Sequence, residues 1–271
     1  MTEKLYQSVA YRPCELEHHY GDQVHILSNP YLLTELAALC SPEVGQPRFN
    51  DLIEVCYRGL LERVVCAEFP HKEVEIPTRM LQFHEAGIYR GVVIDPATPV
   101  ATVNIARAGT LPSHICYHQL NHLLNPSGVR QDHVIMERTT DASGRVTGAG
   151  MHGSKIGGDI EGRILLFPDP MAATGSSLSR VIDFYKQHVD GVPAKIIALH
   201  LIVTPDYLRT VLSAHPEVYV YALRLDRGTS PAHVFDTVPG THWEEESGLN
   251  ERQYIVPGGG GFGEILNNAN V

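Results

Sequence analysis

The stretch Arg163-Ile-Leu-Leu-Phe-Pro-Asp-Pro-Met-Ala-Ala-Thr-Gly-Ser-Ser177 joins the residue types that anion binding needs. An apolar run ends at an acid, Asp169, and small residues follow it. Small side chains at Ala172, Ala173 and Gly175 let backbone N–H groups approach an anion, and Thr174, Ser176 and Ser177 add hydroxyl donors. A helix starting at this point would contribute its partial positive charge. Asp169, just before the cradle, is placed to accept hydrogen bonds from sugar hydroxyls. A plain helix cap at Ser176 or Ser177 is the alternative; the acid at the strand end favours the anion site. No Gly-Lys-[Ser/Thr] is present, so this is not a Walker loop.

The surrounding pattern supplies elements that could carry such a loop. Leu32, Leu33, Leu36, Ala37 and Cys40 recur at helical spacing, as do Leu52, Ile53, Cys56, Leu60, Leu61 and Val64. The spacing predicts helices over 31–40 and 51–68. From residue 91 onward, strand-length apolar runs appear at 91–94, 99–105, 163–167, Lys195–Val203 and Val218–Leu225. Helical stretches lie between them: Leu178, Val181, Ile182 and Tyr185 share one face, as do Tyr207, Leu208, Val211 and Leu212. Alternating strands and helices predict an α/β fold with a parallel sheet covered on both faces. Ligands of such sheets bind at the carboxyl ends of the strands. The first 23 residues read as a polar arm, and residues 24–271 as one domain.

Asp169-Pro-Met-Ala-Ala-Thr-Gly-Ser-Ser177 resembles the ribose-5-phosphate loop of the type I phosphoribosyltransferases, in the D-P-M-x-A-T-G-[GS]-S form of the uracil phosphoribosyltransferases. Three further motifs follow the same pattern in order: Arg107-Ala-Gly109 after a strand, Asn250-Glu-Arg-Gln-Tyr-Ile-Val-Pro-Gly258, and His25-Ile-Leu-Ser-Asn-Pro30 followed by two helices and Ile76-Pro-Thr78. The resemblance covers residues 24 to 264. It implies a type I phosphoribosyltransferase-like parallel sheet flanked by helices, with a C-terminal base-binding hood. It also implies displacement of pyrophosphate from C1 of phosphoribosyl pyrophosphate by a ring nitrogen of uracil, giving UMP. A phosphoribosyltransferase for a different heterocycle, and a non-catalytic regulator binding phosphoribosyl pyrophosphate or nucleotide, are the alternatives.

Carried over residue by residue, the catalytic positions are Asp169, Arg107 and Arg138. Phosphoribosyl pyrophosphate would be held by Arg107, Ala108, Gly109, Arg138, Lys155, Asp169, Met171, Ala172, Ala173, Thr174, Gly175, Ser176 and Ser177. The glycine-rich run 148–158 reads as part of a lid over 139–160 that excludes water. Lys155 stands where the family has a lysine after two tyrosines, here replaced by Gly153 and Ser154. The base would be read by Tyr254, Ile255, Val256, Pro257, Gly258, Gly260, Gly261, Phe262 and Glu264, largely through main-chain groups. The family pattern G-L-G-D-x-G-D-R is here Gly258-Gly-Gly-Gly-Phe-Gly-Glu-Ile265. Leucine is thus replaced by Gly259, the first aspartate by Gly261, the second by Glu264 and the arginine by Ile265. Asp226 resembles an acid that precedes the base loop. The 227–248 stretch after it reads as an insertion that covers the site, meets another subunit or decorates the surface, with Trp243 its notable ring.

Composition bounds the remaining classes. With 271 residues, 43% of them hydrophobic, the chain is long enough for a sizeable core. Twenty-one Lys and Arg against 31 Asp and Glu leave a net charge of −10, which disfavours non-specific nucleic-acid binding. No apolar run approaches the roughly 20 residues of a membrane helix, and the opening residues have no apolar signal segment. Five widely spaced cysteines without a CxxC suggest reduced thiols in the cytoplasm. His114, His118 and His122 follow i, i+4 spacing without an HExxH acid, so no dedicated metal site is expected. Mg2+ is expected to arrive with phosphoribosyl pyrophosphate. The expected partners are these small molecules and other copies of the chain, as a homodimer or higher homo-oligomer, with no nucleic acid and no membrane.

Overall fold

The computed structural model describes residues 5–7, 10–140 and 146–269, with the backbone alone for 137–140 and 146–150. The chain runs β1 (Val24–Ile26), α1 (Pro30–Leu39), α2 (Arg48–Glu68), β2 (His71–Pro77), β3 (Ile88–Ile94), β4 (Val100–Ala106), α3 (Thr110–Leu123), β5 (Val129–Thr140), β6 (Val146–Lys155), β7 (Ile164–Pro168) and β8 (Met171–Ala172). It continues α4 (Ser176–His188), β9 (Lys195–Val203), α5 (Pro205–Ala214), β10 (Val218–Leu225) and α6 (Phe262–Asn267). Local chemistry sets several boundaries. Asn29 accepts from the Leu32 N–H at 3.1 Å, and Pro30 opens α1 where its missing N–H costs nothing. Thr204 caps α5 in the same way through Tyr207 N–H, with Pro205 at its start.

Among the described residues the sheet has eight strands. Seven follow the order β1-β10-β9-β7-β4-β5-β6, and β8 pairs with β9. Every pairing in it is parallel except β5 with β6. All five residues of β7 are buried, because helices cover both faces. Its side chains alternate. Ile164 and Leu166 join Leu60, Val64, Cys116 and Leu120 on the α1–α3 side, while Leu165 and Phe167 join Val181, Ile182, Tyr207 and Val211 on the α4–α5 side. Each such buried side chain contributes about 1.5–3 kcal/mol of transfer free energy.

Helices α1, α2, α4 and α5 and the four sheet runs from 99 onward thus lie where periodicity places them. The run 91–94 does not join the sheet. It belongs to β3, which pairs antiparallel with β2 in a separate ribbon. Its partner His71–Pro77 is mostly exposed and polar, so no apolar signal marks it. Of the 148–158 run, residues up to Lys155 form β6 against β5; the part of the 139–160 lid at 141–145 lies outside the described residues. Residues 1–4 and 8–9 of the arm also lie outside them. From Cys14 the arm is docked: Leu16 N–H donates to Ile26 O at 2.9 Å, Ser28 N–H donates to Cys14 O at 2.8 Å, and Tyr20 is buried. Among the described residues no helix is long and apolar enough to cross a membrane.

The topology creates one crevice. From β4 the chain crosses through α3 to β5 on one side. From β7 it crosses through α4 to β9 on the other. The loops leaving the carboxyl ends of adjacent β4 and β7 therefore diverge, which is the switch point where open α/β sheets bind ligands.

Candidate active site

The loop after β7 is built to present backbone donors. Ala172 O accepts from Thr204 N–H at 3.2 Å, and Ala173 O accepts from the Thr204 hydroxyl at 2.6 Å, so the start of α5 holds the loop from below. Gly175 has φ +80°. A Cβ there would lie 2.8 Å from Val211 Cγ2 and 3.1 Å from Tyr207 O, so both conformation and packing require glycine. No side chain caps α4. Its first-turn N–H groups, with the Thr174 and Ser176 hydroxyls 3.1 Å apart, lie at the switch point in an arrangement able to hold an anion.

Asp169 stands at the mouth of this loop, half-buried. The contact made by its carboxylate among the described residues is the Met171 N–H at 3.3 Å. Burial with so little compensation pushes the carboxyl up to about 6. Its main chain is fixed by a group that sequence motifs do not reveal. His200 on β9 is buried, with Nδ1 2.6 Å from Asp169 O and Nε2 2.6 Å from the Tyr207 hydroxyl. A carbonyl only accepts, so Nδ1 carries the proton, and Nε2 accepts from Tyr207. Burial lowers His200 to about 4, which keeps the ring in this neutral form at pH 7.

The loop after β4 faces it. Gly109 packs so closely that a Cβ would lie 2.8 Å from Ile105 O and 3.1 Å from Pro168 O, at the end of β7. The Ala106–Arg107 peptide is cis. The Arg107 guanidinium is half-exposed, open to an incoming anion, and lies 3.8 Å from the Glu264 carboxylate.

That contact joins the C-terminal loop to the same crevice. Asn250 Oδ1 accepts from Arg252 and Tyr254 N–H groups, each at 3.0 Å, and turns the chain back. Buried Asp226 accepts from Gly258 N–H at 2.8 Å and is paired with Arg224 at 2.7 and 2.8 Å; Arg224 also donates to Gly258 O at 2.8 Å. This fork fixes the turn after Val256–Pro257. Arg224 was not singled out by motif; the sequence signal is the Arg-x-Asp spacing at the end of β10, which puts both residues on one face. The loop then crosses to β4, where Gly263 would place a Cβ 3.6 Å from the Ala108 Cβ.

The glycine positions that differ from the family pattern prove to be filled by neighbours. A Cβ on Gly259 would sit 2.5 Å from the Phe262 ring and 2.9 Å from Cys40 Sγ. A Cβ on Gly261 would sit 2.2 Å from Glu264 Oε2. The Phe262 ring thus takes the space a leucine at 259 would need. The Glu264 carboxylate occupies the space where an aspartate side chain at 261 would start.

The structure brings 107–109, 169–177 and 254–264 together. Met171 and Ala172 form β8, Tyr254 is exposed, and Ile255 and Phe262 turn their side chains into the core, with Phe262 5.1 Å from the Phe49 ring. Those two residues therefore offer a ligand their backbone, not their side chains. Arg138 lies on β5 opposite Ala149, three residues beyond the Ala106–Ile135 pair; its side chain is outside the described set. Lys155 is exposed at the end of β6 opposite His133. The 227–248 segment packs against the arm and α5. Trp243 sits 5.2 Å from Tyr20, and buried Glu246 accepts from Arg227 at 3.2 Å and from the Tyr20 hydroxyl.

The family described as uracil phosphoribosyltransferase matches residues 26–241. The uracil phosphoribosyltransferase of Dictyoglomus thermophilum is 28% identical over 244 residues, covering 90% of this chain and 98% of that protein. The one from Caldanaerobacter subterraneus subsp. tengcongensis is 24% identical over 249 residues, covering 90% and 97%. The structure of the AQ2163 protein from Aquifex aeolicus superposes with a TM-score of 0.67 at 19% identity, over 92% of this chain and 99% of that one, a likeness of fold. The fold is that of the type I phosphoribosyltransferases, and the chain belongs to the uracil phosphoribosyltransferase family of phosphoribosyl-transferring enzymes.

Proposed function

We propose that this protein transfers the 5-phosphoribosyl group from phosphoribosyl pyrophosphate to uracil, forming UMP and pyrophosphate in pyrimidine salvage. The observation that carries the reading is the meeting of an anion cradle, a half-exposed arginine and a glycine-rich loop at one switch point. In this reading the 169–177 loop holds the ribose 5-phosphate through backbone N–H groups, and Asp169 accepts from ribose hydroxyls. Arg107, with the Ala108 and Gly109 N–H groups, neutralises the pyrophosphate as the C1–O bond breaks and the C1–N bond forms. Arg138 and Lys155, on the β5–β6 ribbon beside β4, reach the same leaving group when the 139–160 lid closes. The 254–264 loop orients the base through main-chain groups. The Glu264 carboxylate in the place of an acid at 261 supports uracil over another heterocycle, because it returns an acceptor to the loop.

Mg2+ fits this arrangement as a companion of the substrate. Asp169 is the one acid of the 169–177 loop, and its carboxylate has acceptor capacity to spare beyond the Met171 N–H. The ion would neutralise pyrophosphate charge, held mainly by substrate oxygens. A homo-oligomer is supported by exposed apolar side chains around the β2–β3 ribbon, among them Ile76, Met80, Leu81 and Phe83. Free cysteines throughout the described chain accord with a cytoplasmic location.

The test is pyrophosphate release from phosphoribosyl pyrophosphate and Mg2+, with and without uracil, the nucleotide being identified by mass. Uracil-dependent release with UMP formed supports the reading. Release that needs another heterocycle would replace uracil, and binding without release would replace catalysis with a regulatory role.

A further inference from the structure

We infer that the 227–248 segment carries a binding site for a borderline transition-metal ion of the Zn2+ class, formed by His233, His242 and Glu245. One ligand atom from each residue lies within 4.8 Å of the other two. His233 Nε2 is 3.2 Å from Glu245 Oε2, and His242 Nδ1 is 3.7 Å from Glu245 Oε1. Donors about 2.1 Å from a tetrahedral zinc are about 3.4 Å from one another, so each imidazole stands at about ligand spacing from its own oxygen of the Glu245 carboxylate, and three ligand atoms within 4.8 Å of one another need to draw in by at most about 1.4 Å to share one ion. Two imidazoles and one carboxylate are the donor set of many three-ligand zinc sites, with a water completing the tetrahedron.

The scaffold beneath the trio is firm. His233 lies on a 3-10 turn, Ala232–Asp236, anchored by fully buried Val234. His242 precedes and Glu245 ends a second turn, Trp243–Glu245, in which Glu245 N–H donates to His242 O at 2.8 Å. Arg209 holds that turn from α5 through Trp243 O and, at 3.1 Å, through Glu246 O. Buried Glu246, the residue after the ligand, accepts from Gly240 N–H at 2.8 Å. Both ligand-bearing turns are thus fixed from the core side, while the three donors face solvent. An ion there would staple the two turns together.

The staple would reach the neighbourhood of the base loop. Gly228 N–H donates to Val256 O at 2.9 Å, and Val256 N–H donates to Gly248 O at 2.8 Å. The two ends of the segment are also joined to each other, since the Ser230 hydroxyl and Ser247 exchange bonds of 2.9 and 3.1 Å. The ion's place is therefore structural, bracing the segment on which the Val256 backbone leans.

The test is titration of the chelator-treated full chain with Zn2+ against a chromophoric competitor, and with Co2+ followed by its visible d–d absorption. One equivalent is expected to bind. His233→Ala, His242→Ala and Glu245→Gln should each weaken it at least tenfold, whereas His118→Asn with His122→Asn on α3 should not. All three ligands are at the surface, so circular dichroism should confirm that the variants fold. Zinc should raise the midpoint of urea unfolding in the wild type and not in the Glu245→Gln variant. Absence of stoichiometric binding, leaving only His–Glu ion pairs, overturns the proposal. So does binding that the three variants retain or the α3 variant loses.

Discussion

Replacing Asp169 by Asn should stabilise the fold while abolishing turnover, and the stabilisation should depend on pH. The carboxyl is raised from 3.8 to about 6 because burial withholds water and, among the described residues, only the Met171 N–H replaces it. Between those two values the folded chain keeps a proton that the unfolded chain has released. Stability therefore falls as pH rises through the window, and the full penalty is present above it. A shift of roughly two units corresponds to about 3 kcal/mol, an upper bound for a half-buried group. Asn has the same shape, still accepts from Met171 and never ionises. Without ligands or Mg2+, the variant should exceed the wild type by about 1–3 kcal/mol in urea unfolding at pH 8, and the gap should close near pH 4. A variant that is less stable at pH 8, or a gap that is the same at both pH values, would refute the argument. The wild-type kcat/KM should rise through about pH 6 as the carboxylate forms, because the anion is the form that accepts from ribose hydroxyls.

Other substitutions separate the loops. Gly175→Ala places a Cβ at φ +80° and 2.8 Å from Val211 Cγ2. It should cost about 2–4 kcal/mol in urea unfolding and weaken phosphoribosyl pyrophosphate binding in calorimetry. Arg224→Met leaves buried Asp226 without its cation and should destabilise by about 3–5 kcal/mol. Arg224→Lys, which keeps the charge but loses the fork, should raise KM for the base while leaving phosphoribosyl pyrophosphate affinity unchanged. Glu264→Gln keeps the space filled at 261 but frees Arg107 from its acid. An exposed pair of this kind is worth up to about 1 kcal/mol, so phosphoribosyl pyrophosphate should bind up to about fivefold more tightly at low salt.

Elements whose burial is two-sided or strongly periodic were legible from the residues alone. β9 and β10 fall over Lys195–Val203 and Val218–Leu225 as their apolar runs predict, and α2 and α4 keep the faces read from their spacing. β2 was not legible, because a ribbon strand outside the sheet buries little and His71–Pro77 carries mainly polar side chains. β1 is only three residues long, too short for a period, and owes its place to pairing with β10. The 169–177 loop stood out because one continuous stretch supplies strand, acid, small residues and helix. His200 and Arg224 were hidden because each acts on a loop distant in sequence, and only the fold brings His200 to Asp169 O and Arg224 to Gly258 O. The His233, His242 and Glu245 trio is hidden for the same reason, since spacings of nine and three follow no metal motif.

The departures of the base loop look like losses when each position is considered alone, and like exchanges when space is considered. Gly259 lacks a side chain, yet the Phe262 ring lies where that side chain would be, against Cys40 and 5.1 Å from Phe49. Gly261 lacks a carboxylate, yet Glu264 folds back onto it. Apolar bulk and negative charge are thus retained in the loop but delivered from the first turn of α6 rather than from the loop itself. Four successive glycines would by themselves leave the backbone free to roam. Here Gly258 is fixed at one end by Asp226 and Arg224, and Phe262 is buried at the other. The segment between the anchors, 259–261, is too short to stray far. The Glu264 carboxylate consequently both fills the vacated acid position and lies 3.8 Å from Arg107, so in the proposed function one residue borders both the base and the pyrophosphate.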